Sequence, residues 1–438
     1  MPQRTGRRQF LQGTAAAGIG FWVAGGVPAK ASDSPNEKIQ FACIGCGGKG
    51  SSDSADAGNH GQVVAVCDVD ETTLKAAASR FPKAKKFVDF RKMLEEMGKK
   101  IDAVTVSTAD HTHTPAGLMA MRMGKHCFCQ KPMTRTIYEA RLMGEVAREK
   151  KVATQMGNQG TAMAGLRKAA ALLRKGAIGK VTEVHVWTNR PIWPQGIPRP
   201  KEAPVPPNLK WDLWLGPAPL RPHALGYHPF KWRGWWDFGT GALGDMACHT
   251  MNMPFMGLEL RNPLSVQAET SGHNKDSYPN WSVIEYVFPA NDWRPGLKMF
   301  WYDGGKRPDK ELLDGKNPSG SGCVVIGEKA KIYSPNDYGA EFELLPKIDL
   351  PEVEFPESPG HFEEWVRAIK GGPAAMSNFP DYASPLTETV VLGNLAVWAA
   401  SEPGRGKKIE WDAKNLKATN APEVQHIVKP TYRAGYTR

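Results

Sequence analysis

The chain has 438 residues, 41% of them hydrophobic and 23% charged. That is too long for one ordinary core and too apolar for a disordered chain, so two globular domains are expected. The formal net charge is +11, but the basic residues are interspersed with acids, which argues against a nucleic-acid surface and for a solvated basic exterior.

The first residues read as an address and not as fold. Arg7-Arg8-Gln9-Phe10-Leu11 is a twin-arginine pattern, residues 15–27 are apolar and rich in Gly and Ala, and Ala29-Lys30-Ala31 offers a small-x-small cut. Charged start, short apolar middle and small-residue cut make residues 1–31 an export signal, with the periplasm or exterior as destination. The alternatives are a chance Arg-Arg pair or a retained anchor. Four of the eleven net positive charges (Arg4, Arg7, Arg8, Lys30) would leave with the signal, so the mature charge is +7. No later stretch approaches the ~18 uncharged apolar residues of a membrane helix. The seven cysteines are odd in number. Cys43-x-x-Cys46 straddles a strand end and a glycine loop with no second CxxC, so core thiols are expected there ahead of metal or redox use.

Residues 39–44 form a buried-strand run. Gly45-Cys46-Gly47-Gly48-Lys49-Gly50 follows at once and satisfies G-x-G-x-x-G. Such glycines permit a tight turn and let the backbone approach a pyrophosphate, at which the next helix points its N–H groups. A second strand covers 63–67. Asp68 ends it, eighteen residues after Gly50, where an acid accepts from an adenosine ribose and repels a 2′-phosphate, favouring NAD over NADP. Helices are expected over 71–80 and 90–99, then a third strand over 101–106. Ser107 to His113 would face the ligand crevice, with Ser107, Thr108 and His111 as cofactor candidates. His111-x-His113 as half of a metal site is the alternative. A helix is expected over 115–123, capped by Thr114 before Pro115. After a short strand at 127–129, Gln130-Lys131-Pro132 offers a lysine to a developing alkoxide. A helix over 138–150 and a strand over 152–155 close a parallel α/β domain spanning 36–156.

The second half, 157–438, reads as an α+β domain with a mainly antiparallel sheet. Strands are expected over 282–288, 298–301 and 323–326, and helices over 361–369 and 387–400. Pro, Trp and Gly crowd residues 191–236, which suggests an ordered loop over a site. Arg190, Trp193, Tyr227, His228, Trp235, Trp236 and Asp237 there offer flat apolar faces and polar edges suited to carbohydrate, with about half expected in the core instead. Residues 241–249 read as a helix start in which Asp245 and His249, spaced i, i+4, share a face. They suit proton transfer, a structural pair or two metal ligands.

In this order the glycine loop, Asp68, the Ser107–His113 stretch, Gln130-Lys131-Pro132 and Asp245-x-x-x-His249 resemble the Gfo/Idh/MocA oxidoreductases. The likeness extends over nearly all of the mature chain. Gly157-Asn158-Gln159-Gly160 and Trp235-Trp236-Asp237-Phe238-Gly239 are similar to an exported, tryptophan-rich bacterial branch. The resemblance implies a Rossmann domain with a parallel sheet, followed by an α+β domain with a large mainly antiparallel sheet. It implies NAD contacts from the glycine loop, Asp68, Gln130, Lys131 and Gln159, and catalysis by Lys131, Asp245 and His249. Lys131 would steady the alkoxide, His249 take the hydroxyl proton, and Asp245 position the histidine. The sequence departs at Gln130, where the family usually has Glu. The implied activity is hydride transfer on a sugar with tightly held cofactor. A glycoside hydrolase working by transient oxidation and a non-catalytic sugar-binding protein are the alternatives. A homo-oligomer, dimer or tetramer, is also implied.

Overall fold

The computed structural model describes residues 38–436. The expected export signal lies outside the described residues. Strands β1 (Gln40–Ile44), β2 (Gln62–Cys67), β3 (Lys85–Phe87), β4 (Ala103–Val106), β5 (His126–Cys129) and β6 (Thr154–Met156) form one sheet in the order β3-β2-β1-β4-β5-β6. Every pairing in it is parallel. Its central strands are covered on both faces, so they read as unbroken apolar runs. The strand order reverses between β1 and β4, which opens a crevice at their carboxyl ends.

Helices α1 (Lys49–His60), α2 (Glu71–Arg80), α3 (Phe90–Met97), α4 (Asp110–Arg122) and α5 (Ile137–Lys150) connect these strands. Asp70 and Asp89 cap α2 and α3 by accepting the Thr72 and Arg91 N–H groups, and Thr136 with Glu139 makes a capping box on α5. Helix α4 starts five residues before the expected point, with Ala109 and not Thr114 at its N-cap position. Pro115 therefore lies inside the helix, where it costs only the bond to the His111 carbonyl near the helix start.

The second half contributes α6 (Ala164–Arg174), α7 (Trp211–Leu215), α8 (Gly241–Thr250), α9 (Asn252–Leu258), α10 (His361–Ile369) and α11 (Ser384–Ala399). Its strands are β7 (Val181–Trp187), β8 (Ser265–Thr270), β9 (Ser282–Phe288), β10 (Leu297–Tyr302), β11 (Gly322–Gly327), β12 (Lys331–Ser334), β13 (Glu343–Leu345), β14 (Gly404–Arg405), β15 (Ile409–Asp412) and β16 (Lys417–Ala418). They form one sheet in the order β13-β12-β11-β7-β10-β9-β8-β15-β16, with β14 also on β8. Only β7 and β10 pair in parallel. Helix α11 lies across β8 and β9, and α8 against β7. Among the described residues no helix is long and apolar enough to cross a membrane.

Two features tie the halves together. Helix α10 returns to the first sheet, where Trp365 packs 5.7 Å from both Phe41 and Phe128 and donates its Nε1–H to the Ala153 carbonyl at 3.0 Å. The long segment between β7 and α8 crosses the mouth of the crevice. Asp70 bridges Leu209, the Lys210 N–H donates to the Val69 carbonyl at 2.9 Å, and the Glu71 N–H donates to Asn208 at 2.8 Å. All seven cysteines are buried and unpaired, Cys43 and Cys46 included.

Trp365→Ala is expected to cost about 3–5 kcal/mol through lost burial and the cavity left behind. Chemical denaturation checks this, and Trp365→Phe should recover most of the loss.

Candidate active site

A cavity of about 730 Å³ lies between the carboxyl ends of the parallel strands and the crossing segment. Its floor is the glycine loop. Gly45 has φ +79°, and a Cβ there would sit 2.6 Å from the Ser107 carbonyl oxygen. A Cβ on Gly50 would run into the Gly45 carbonyl. Glycine is therefore required at both positions, and the space it leaves faces the first turn of α1. The Cys46 N–H donates to Asp68 Oδ2 at 2.8 Å, while its thiol turns inward toward the carbonyls of Cys43 and Cys67. Asp68 Oδ1 accepts the Asp70 N–H at 2.9 Å. Burial raises the Asp68 pKa and these two N–H bonds oppose the rise. Each carboxylate oxygen keeps a lone pair for a further donor. A glycine cradle, a helix start and an acid at the end of β2 fit the diphosphate and ribose of an adenine dinucleotide.

Gly47, Gly48, Lys49, Ser107, Thr108, Gln130 and Gln159 also line the cavity. His111 does not. Its ring nitrogens lie 3.1 Å from the Phe238 carbonyl and 2.9 Å from that of Trp214, so it ties α4 to the crossing segment and is unavailable to a cofactor. Burial lowers its pKa to about 4, so the ring is neutral at pH 7. The ring nitrogens of His113 likewise face the Pro132 and Thr108 carbonyls.

The opposite end holds Lys131, Asp245 and His249. Lys131 Nζ donates to both Oδ1 and the carbonyl of Asp245, each at 2.8 Å. Arg233 Nη1 lies 3.1 Å from Oδ1 and Arg190 Nε 3.7 Å from Oδ2. Burial alone would raise the Asp245 pKa, but Lys131 and then Arg233 hold it well below the carboxylate range. His249 follows one helical turn later. Burial, then the nearby Lys131 charge, pushes its pKa well below 6.5, so the imidazole is neutral. Its Nδ1 has no hydrogen-bond partner, and the ring meets Tyr338 edge-on at 4.9 Å. No hydrogen bond joins Asp245 to His249. The expectation that Asp245 orients the histidine is corrected, because closer cations occupy the carboxylate.

Of the seven residues expected to form a sugar platform, Arg190, Trp193 and His228 line the cavity. His228 Nε2 lies 3.1 Å from Asp70 Oδ2, which places it at the Asp68 end. The other four are not brought there. Tyr227 and Trp235 are buried against each other and Phe238, with ring centroids 5.3 and 5.1 Å from Tyr227. Trp236 stacks on Tyr278 at 3.8 Å, and Asp237 pairs with Arg221. Sequence reasoning missed Arg233, Trp232 and Tyr338 on the cavity wall, and Asp53 behind it. Asp53, four residues after Lys49 on α1, accepts from Lys49, Ser107 and Gln130. The i, i+4 Lys–Asp spacing was the one available signal for it.

Residues 39–158 match the family described as an oxidoreductase family with an NAD-binding Rossmann fold, and residues 175–438 match its C-terminal alpha/beta domain. Levoglucosan dehydrogenase of Pseudarthrobacter phenanthrenivorans is 24% identical over 182 residues, 40% of this chain and 37% of that protein. A glycosyl hydrolase family 109 protein of Solibacter usitatus is 32% identical over 152 residues, 31% of this chain and 35% of that one. The chain thus spans little more than a third of these curated relatives. The crystal structure of the WlbA dehydrogenase from Bordetella pertussis, in complex with NADH and UDP-GlcNAcA, shares the fold with a TM-score of 0.60 at 19% identity, covering 86% of this chain and 99% of that one.

The buried histidines set an acid limit. His111, His126, His185 and His361 have pKa values pulled down to about 4 by burial, and that of His249 is lowered too. The unfolded chain takes up these protons near pH 6.5 while the folded chain does not, so stability is full above that value and falls toward pH 4. Asp303, raised to about 6 by burial, acts in the opposite sense but is outnumbered. The thermal midpoint should drop steadily between pH 6.5 and 4; a flat profile down to pH 4.5 would contradict the assignment.

Proposed function

The chain belongs to the Gfo/Idh/MocA oxidoreductase family, and from that premise we propose that it oxidises a carbohydrate hydroxyl, passing the hydride to NAD held in the cavity. The observation that carries this reading is the meeting of the glycine loop, Lys131 and a neutral His249 on one cavity. NAD, when bound, supplies the hydride acceptor. The backbone of Gly45, Gly47 and Gly48 would hold its diphosphate and Asp68 its ribose, against which a 2′-phosphate would be repelled. The His249 ring takes the hydroxyl proton as the base. Lys131 Nζ steadies the alkoxide, and Asp245 fixes that ammonium in place. Trp193, Trp232 and Arg190 frame the sugar.

The crossing segment supports a retained cofactor. Asn208 Nδ2 donates to Asp70 Oδ1 at 2.7 Å, and His228 meets the other oxygen, two residues beyond Asp68. Export by the twin-arginine route would make retention necessary, since free nicotinamide nucleotide is scarce outside the cytoplasm, and hydride would then be recycled in place. The similarity to a glycosyl hydrolase family 109 protein favours a second reading, in which transient oxidation leads to elimination of an aglycone.

Denaturing the purified protein and weighing the released nucleotide is the first test; a chain that neither releases nor binds a nicotinamide nucleotide ends this reading. Offered a panel of sugars and glycosides, Lys131→Met should turn over about 100-fold slower or worse than wild type, and unchanged turnover would remove Lys131 from the mechanism. Free sugar released without net NADH would select the glycosidase reading. Asn208→Ala with His228→Ala should speed nucleotide loss on dilution about tenfold or more, as two hydrogen bonds to a charged group are removed.

A further inference from the structure

Asp53 is 1% exposed. A carboxylate so deeply buried is stable only where donors surround it. Three do, from three separate segments. Lys49 Nζ, in the first turn of α1, lies 2.6 Å from Oδ1. The Ser107 hydroxyl, just after β4, donates to Oδ2 at 2.7 Å. Gln130 Nε2, just after β5, donates to the same oxygen at 2.9 Å. Each of these three donors also lines the cofactor cavity, so Asp53 fixes the floor of the cavity from behind.

Gln130 has only one useful orientation. Its amide nitrogen is committed to Asp53, and its Oε1 accepts the Lys131 N–H at 3.3 Å. The side chain is also boxed in, since a Cβ on Gly157 would stand 2.5 Å from Nε2. The chain of contacts therefore runs from Lys49 through Asp53 and Gln130 to the backbone of Lys131. A glutamate in place of Gln130 would set two carboxylates about 3 Å apart, where like charges do not both stay ionised. An uncharged side chain in place of Asp53 would leave Lys49 at a helix N-terminus, where a cation opposes the helix dipole.

We propose that Asp53 is a positioning residue for the cofactor site, and that Asp53 and Gln130 form a one-charge unit. What the glycine-loop helix and Lys131 require is a single carboxylate shared across this gap, whichever of the two positions carries it. The inference rests on NAD occupying this cavity.

Exchanging the charge tests it. Four full-length chains are compared: wild type, Asp53→Asn, Gln130→Glu, and the double exchange Asp53→Asn/Gln130→Glu. These hold one, none, two and one carboxylates in the pair. In the double exchange the amide introduced on α1 donates its nitrogen to the carboxylate introduced after β5 and to the Ser107 hydroxyl, which turns to accept, while its oxygen takes the Oδ1 place beside Lys49. Each chain is cleared of any nucleotide it retains and titrated with NADH by fluorescence, and its thermal midpoint is recorded. Each single substitution should weaken NADH binding about tenfold or more, the scale of a lost charge-assisted hydrogen bond. The double exchange should return to within about threefold of wild type, inside the error of such estimates. A double exchange no better than the worse single overturns the proposal. So do singles that bind NADH as wild type does and lose only thermal midpoint, which would make the pair a folding element alone. A wild type that neither releases a nicotinamide nucleotide on denaturation nor binds NADH ends the cofactor reading and takes the positioning role with it, whatever the midpoints do.

Discussion

An ionised carboxylate held away from water has to be matched by cations, and those that match Asp245 come from three distant stretches of chain. Lys131 arrives from the turn after β5, Arg190 from the residues after β7, and Arg233 from just before α8. Any one of them missing would leave a buried charge under-compensated, at a cost of several kcal/mol. The ion cluster is therefore satisfied only when the parallel sheet, the crossing segment and the helix carrying Asp245 have all docked. Closing the cavity and completing the charge balance are the same event.

The crossing segment meets that demand without long helices or strands of its own. Its rigidity comes from aromatic packing. Trp211 stacks on Trp214 at 4.8 Å, and Trp214, Tyr227 and Trp235 enclose Phe238 or one another. Such rings contribute large buried area with few rotatable bonds. The outer rim of the segment, including Trp193 and Trp232, is then free to face the cavity. His111 joins this scaffold with its ring set between two backbone carbonyls of the segment, one of which accepts its single N–H, so an imidazole at the end of a parallel strand is turned away from ligand.

The elements legible in the sequence were those governed by local rules. Buried parallel strands showed as apolar runs, the glycine loop as a pattern whose Cβ atoms have no room, and Asp245 with His249 as an i, i+4 pair. Strand β3 was not legible, because Lys85-Lys86-Phe87 is short and two-thirds charged. The early start of α4 was hidden by Pro115 and by five polar residues in a row, all buried, of which Asp110, His111 and His113 are held by tertiary contacts. Of the tryptophans, composition announced a platform but could not say which rings face the cavity, since that is decided by packing partners such as Tyr227 against Trp235. Arg233 was missed because its role exists only in contacts far away in sequence, and Asp53 because two of its three donors, Ser107 and Gln130, are as distant. The return of α10 to the first sheet is likewise a non-local contact, announced by no motif.

The seven buried thiols carry a consequence for timing. Burial raises the pKa of Cys43 and Cys248 to about 12, so almost no thiolate is present at neutral pH and the finished molecule is inert to disulfide exchange. The unfolded chain has no such protection. Seven is odd, so oxidation before folding must strand at least one sulfur however the others join, and every crosslink formed would pull a core residue toward a partner it does not have in the native state. Folding under reducing conditions avoids those crosslinks, and once the fold is complete the seven thiols are out of reach of the surroundings.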